Sequence, residues 1–149
     1  MIIGIHHFAL TVSEMDRSLA FYTDLFGLEV VSDREVERDY VELITAIPGA
    51  HQRLVHLSGY GQRLELLEYK APRGAPRARP LQDAGSAHLC FITDDLDGET
   101  ARLEKAGVTF RSLPVVTTSG PNAGGRGIYV EDPDGNAVEV VQLAPQAAT

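Results

Sequence analysis

Two histidines and two glutamates hold most of the chemistry this sequence offers. They are His7 in "GIHHFALTV", Glu65 in "RLELLEY", His88 in "SAHLCFIT" and Glu139 in "AVEVVQL". Neutral imidazole nitrogens and carboxylate oxygens, with no thiolate among them, suit a divalent transition metal. Two glutamates neutralise such an ion, and an octahedral ion keeps two adjacent positions for water or substrate oxygens. A lone His or Glu on a strand is ordinarily hydrogen-bonded or solvated. These four differ in where they recur.

They recur at matching places in two halves. His7 to Gly27 is 20 residues and His88 to Gly107 is 19. Each half reads as strand, helix, strand, connecting stretch and hairpin, and each closing strand carries one glutamate. In the first half, residues 2–12 form the opening strand. Phe8, Leu10 and Val12 lie on one face, and His7, Ala9 and Thr11 on the other. Ser13 is the expected helix N-cap, with Asp16 three residues on. Met15, Leu19, Tyr22 and Phe26 make an amphipathic stripe that Gly27 ends. "LEVVSDREV" is a strand, "VELITAI" an apolar stretch closed by Pro48-Gly49, and "QRLVHLS" and "RLELLEY" a hairpin about "GYG". In the second half, Leu89, Phe91 and Thr93 alternate with His88, Cys90 and Ile92. An acid-capped helix follows in "DDLDGETARLEKAG", then the strand "VTFRSL", a glycine-rich loop over 114–127, and a hairpin about "PDGN". Module 1 is thus 1–70, a Pro/Arg/Gly-rich linker 71–86, module 2 87–143 and a tail 144–149, all within one domain, 1–149. The fold class is α+β, two βαβββ modules too small to bury a core alone. Alternation along the first strand sends His6 and His7 to opposite faces. His6 aligns with Ala87, so the repeat selects His7 and leaves His6 under the helix or at a dimer contact.

Composition narrows the partners. The formal net charge of −8 argues against nucleic acid. No apolar run reaches membrane-spanning length, and "MIIGIHH" has no signal-peptide pattern. One cysteine, Cys90, excludes an intrachain disulfide, and within "HLCFI" it is expected to be buried and unreactive. A cytoplasmic protein acting on a small molecule is the simplest expectation.

"IHHFALTV", "RSLAFYTDLFGLEV", "LELLEY", "HLCFIT-DDLD" and "YVEDPDGNAVEVVQ" together make the sequence similar to the vicinal oxygen chelate superfamily. That superfamily holds glyoxalase I, methylmalonyl-CoA epimerase, extradiol dioxygenases, and fosfomycin and bleomycin resistance proteins. The resemblance spans nearly the whole chain. It implies paired βαβββ modules forming a cup-shaped mixed sheet around a divalent metal (Ni, Co, Zn, Mn or Fe), and a homodimer. It also implies His7, Glu65, His88 and Glu139 as the ligands. Glu68, three residues from Glu65, then faces the other way, solvated or salt-bridged.

The resemblance implies one chemical idea, a metal holding two vicinal substrate oxygens and stabilising the charge that develops there. With two glutamates present, Glu65 or Glu139 can act as general base on a carbon next to a carbonyl or acyl thioester. The expected activity is a glyoxalase-type isomerase, epimerase or lyase working through an enediolate. Thr11 and Tyr69 stand where bacterial glyoxalase I places an Arg and an Asn, which points away from glutathione. Glu65 stands where methylmalonyl-CoA epimerase has Gln. Tyr129, ten residues before Glu139, matches the extradiol dioxygenase pattern and makes ring cleavage the alternative. A drug- or metabolite-sequestering protein is a further one. Arg126, in the long loop, and His56 are candidate substrate contacts.

Overall fold

The computed structural model describes residues 1–37, 39–75 and 79–145. The chain divides into two compact units, Met1–Pro76 and Arg77–Thr149. Residues 76–78 of the expected linker and 146–149 of the expected tail lie outside the described residues. Among the described residues, no helix is long and apolar enough to cross a membrane.

The first unit has strands β1 (Phe8–Thr11), β2 (Glu29–Glu37), β3 (His51–Gly59) and β4 (Gln62–Ala71) in the order β1-β4-β3-β2. β1 runs parallel to β4, whereas β3 is antiparallel to both β4 and β2. A parallel pair needs a crossover. Here α1 (Met15–Ala20), its π-helical continuation Phe21–Leu25 and the β2–β3 strands supply it. The π turn widens the helix where Phe21 and Tyr22 both turn inward. With Phe26 they form an aromatic cluster, with Phe21–Tyr22 and Phe21–Phe26 centroids 5.1 Å apart. Gly27, at φ 65°, ends the element where its sequence position predicts. "VELITAI" is largely helical, in α2 (Asp39–Thr45). Tyr60 and Gly61 close the β3–β4 hairpin, both with positive φ.

The second unit repeats the plan. β5 (His88–Ile92), β9 (Ala137–Gln142), β8 (Arg126–Glu131) and β6 (Thr109–Phe110) follow in that spatial order, with β7 (Val115–Val116) also on β8. β5 is parallel to β9, as β1 is to β4, and α3 (Leu96–Lys105) crosses between β5 and β6. Gly107, at φ 77°, ends α3. The fold is thus α+β with two mixed sheets, one in each unit. In β5 the alternation holds, with Leu89 and Phe91 half-buried and His88, Cys90 and Ile92 exposed. In β1 Phe8 is exposed although it shares a face with the half-buried Leu10.

Each central strand does two jobs. Its apolar residues are core: Leu64 and Leu66 on β4, Val138 and Val140 on β9. Such burial is worth about 1.5–3 kcal/mol per side chain. Three residues beyond its glutamate, each strand also presents a polar side chain to a helix start. Glu68 accepts a hydrogen bond from the Met15 amide (3.3 Å), and Gln142 accepts one from the Leu96 amide (3.2 Å). Ser13 does not cap α1. Glu14 holds the N-cap position without a side-chain bond, and Ser13 Oγ instead accepts from Arg17 (2.9 Å). Glu68 is buried rather than solvated, and pairs with Lys70 at 2.7 Å. Asp95 caps α3 as expected, accepting from the Gly98 amide at 2.9 Å.

Candidate metal centre

In the first unit the register assembles the site. Glu65 on β4 stands opposite Ala9 on β1 and opposite His56 on β3. His7, two residues before Ala9, reaches the same carboxylate. Its Nε2 lies 3.4 Å from Glu65 Oε2, and His56 Nε2 lies 3.0 Å from Glu65 Oε1. One donor atom from each of the three residues falls within 4.8 Å of the others. Glu65 is buried.

The outer nitrogens of both rings are occupied. His56 Nδ1 lies 3.0 Å from Ser32 Oγ. Arg63 donates to His6 Nε2 at 3.2 Å, which places the His6 proton on Nδ1, 2.8 Å from His7 Nδ1. The His56 imidazolium is disfavoured, so its pKa lies below the usual histidine range: burial lowers it more than the Glu65 carboxylate raises it. A neutral ring is the form that ligates metal.

His6 therefore does not lie opposite His7 or under a helix. β1 begins only at Phe8, so strand alternation does not govern residues 6 and 7. The two rings stand edge to face with centroids 5.1 Å apart, and His6 is exposed. Both line an open pocket of about 370 Å³ with Gln62 and Arg63.

The second unit reproduces half of this. Glu139 on β9 stands opposite Cys90 on β5 and Tyr129 on β8. His88 Nε2 lies 3.2 Å from Glu139 Oε2, and the Tyr129 hydroxyl lies 3.4 Å from His88 Nε2. The turn that sets β9 in place is organised by Asp132. Its carboxylate accepts from the Asp134 and Asn136 amides at 2.9 and 2.7 Å. Burial and the adjoining Glu139 carboxylate push the Tyr129 phenol up to about 12, so it is protonated at neutral pH and can donate. Cys90 is exposed, not buried as its apolar surroundings suggest. Partial desolvation and Glu139 push its thiol up to about 12 as well. Arg126 forms a bidentate pair with Asp97 at 2.7 and 2.8 Å, so its guanidinium is engaged at the start of α3.

The structure thus brings His7 to Glu65 and His88 to Glu139, each pair inside its own unit. Imidazole and carboxylate groups 3.0–3.4 Å apart, with His56 Nδ1 held from behind by Ser32 Oγ, fit a divalent ion.

A profile of the Glyoxalase/Bleomycin resistance protein/Dioxygenase superfamily matches residues 4–140. The chain is 29% identical over 147 residues to a 2-epi-5-epi-valiolone epimerase of Actinomyces sp, covering 95% of this chain and 80% of that one. It is 32% identical over 139 residues to the virulence protein STM3117 of Salmonella typhimurium, covering 93% and 83%. Among solved structures, a glyoxalase family protein from Bacillus cereus superposes with a TM-score of 0.83 over 97% of this chain and 96% of that one. At 19% identity, that likeness speaks to the fold alone.

Proposed function

The chain belongs to the glyoxalase/bleomycin resistance protein/dioxygenase superfamily, and from that premise we propose that it is a divalent-metal-dependent isomerase, epimerase or lyase. His7, Glu65, His88 and Glu139 supply the metal ligands. One observation carries this reading: the same His–Glu pair, with Nε2 facing the carboxylate, occurs at repeat-equivalent positions in both units. A divalent ion held by these residues would supply stabilisation of negative charge developing on substrate oxygens. Glu65 or Glu139 takes a proton from the carbon next to a carbonyl, and the resulting enediolate is reprotonated at carbon. Burial of Glu65 restricts water around that base. The Actinomyces relative is named as an epimerase, which favours epimerisation within this class.

The test is metal analysis of the purified protein after reconstitution with Ni, Co, Zn, Mn or Fe. About one equivalent is expected, lost in both His7→Ala and Glu139→Ala. A wild-type protein that retains none of these metals overturns the reading. Solvent deuterium should also enter the α-carbon of hydroxyketone or acyl-thioester substrates.

Tyr129 supports a second reading, ring cleavage of catechols, because its protonated hydroxyl lies beside His88. Oxygen uptake with catechols in the Fe- or Mn-loaded protein would favour it. Its absence, with substrate deuteration intact, decides for the first.

A further inference from the structure

Resting on the metal reading above, we propose that His56 is itself a metal ligand. The first unit then presents His7, His56 and Glu65 as a three-donor site, and Ser32 positions His56. The repeat explains why His56 escapes notice, since Tyr129 is its counterpart across from Glu139. Imidazole nitrogen is a good ligand for a divalent transition-metal ion.

Three observations converge. His56 Nε2 is 3.0 Å from Glu65 Oε1, closer than the 3.4 Å between His7 and the same carboxylate. Ligands at about 2.0–2.1 Å from one ion lie roughly 3–4 Å from each other, so the cluster needs little closure to share one. Second, the outer nitrogen is anchored as in ligating histidines, with Nδ1 3.0 Å from Ser32 Oγ. A hydroxyl donates or accepts, so it serves the ring whether Nε2 carries a proton or meets a metal. Third, Ser32 is where it is because of an irregularity. The β2–β3 register shifts between Val30 and Ser32, and this sets Ser32 opposite His56. Bulges of this kind re-aim side chains next to functional sites.

Chelator-stripped full-length protein titrated with Co(II) tests this. Absorption reports the coordination sphere, and competition titration gives the affinity. His56→Gln should weaken Co(II) binding by more than about 100-fold and alter the d–d spectrum. Ser32→Ala should weaken it by roughly 10–100-fold with the wild-type spectrum kept. Pulsed EPR of the Cu(II)-loaded protein should show one coupled imidazole fewer in His56→Gln than in wild type. Unchanged affinity and spectrum in His56→Gln, or an unchanged imidazole count, overturns the role of His56. The metal reading itself stands if His7→Ala and Glu65→Ala still lose Co(II). A wild type that binds no Co(II) overturns both.

Discussion

Cys90 shows at the scale of one residue how a neighbour overrides exposure. An exposed thiol invites alkylation, yet the nucleophile is the thiolate, and partial desolvation, with Glu139 across the β5–β9 ladder adding to it, opposes its formation. Cys90 should therefore react with iodoacetamide at neutral pH far more slowly than free cysteine, as intact-mass spectrometry would show. Glu139→Gln should speed that reaction. Equal rates in both proteins would mean that the carboxylate does not control the thiol. The two His–Glu pairs were legible because each recurs in the repeat, and recurrence sets such residues apart from an ordinary polar strand residue. His56 was legible only as a pocket candidate. Its pairing with Glu65 depends on the hairpin register, and its Ser32 anchor depends on a bulge that no local pattern announces. Alternation misplaces His6 and His7 because both lie just before the strand begins at Phe8.

The central strands are the elements that couple site to scaffold. β4 and β9 carry the glutamate on one face and, three residues later, the acceptor that holds a helix start on the other. α1 was legible from its apolar spacing and α3 from its acidic cap, each with a closing glycine. These caps were not, because the partners lie 53 and 46 residues apart. Glu68→Ala removes the α1 cap and leaves the half-buried Lys70 without its 2.7 Å partner, so it should cost about 1–3 kcal/mol of stability in urea denaturation. Gln142→Ala removes a neutral cap and should cost only about 1 kcal/mol. The reverse order would overturn the account. On β2 and β3, Arg53 grips Asp33 at 2.9 and 2.7 Å and also reaches Asp16 on α1 at 2.6 Å. The Arg53 hydrogen bonds hold the Asp33 carboxyl below its usual range. A depressed carboxylate pKa contributes stability above the unfolded value of about 3.9, and that contribution is lost as pH falls through the folded value. The pair is solvent-exposed, so its worth is about 0.2–1 kcal/mol. Between pH 5 and about 3, wild type should lose stability more steeply than Asp33→Asn, and the two curves should run parallel near pH 7. Equal slopes throughout would remove the pair from the acid-side behaviour.

At the scale of the whole chain, the proposed metal centre would tie ion binding to folding. Each unit holds one His–Glu pair from strands far apart in sequence, so the donors are scattered in the unfolded chain. A ligand that binds only the folded form stabilises it by about 2.7 kcal/mol at 100 times its Kd. For a chain of 149 residues this corresponds to a rise in Tm of roughly 5–10 °C. Adding Co(II) or Zn(II) to the chelator-treated protein should produce that rise in a calorimetric scan, and excess chelator should reverse it. An ion that draws on both pairs loses its stabilising effect when either is broken. His7→Ala and His88→Ala should therefore each abolish the metal-induced shift while leaving the metal-free Tm within a few degrees of wild type. A shift that survives intact in His88→Ala but vanishes in His7→Ala would instead confine the ion to the first unit, and Glu139 would then have to act as a base without being a ligand.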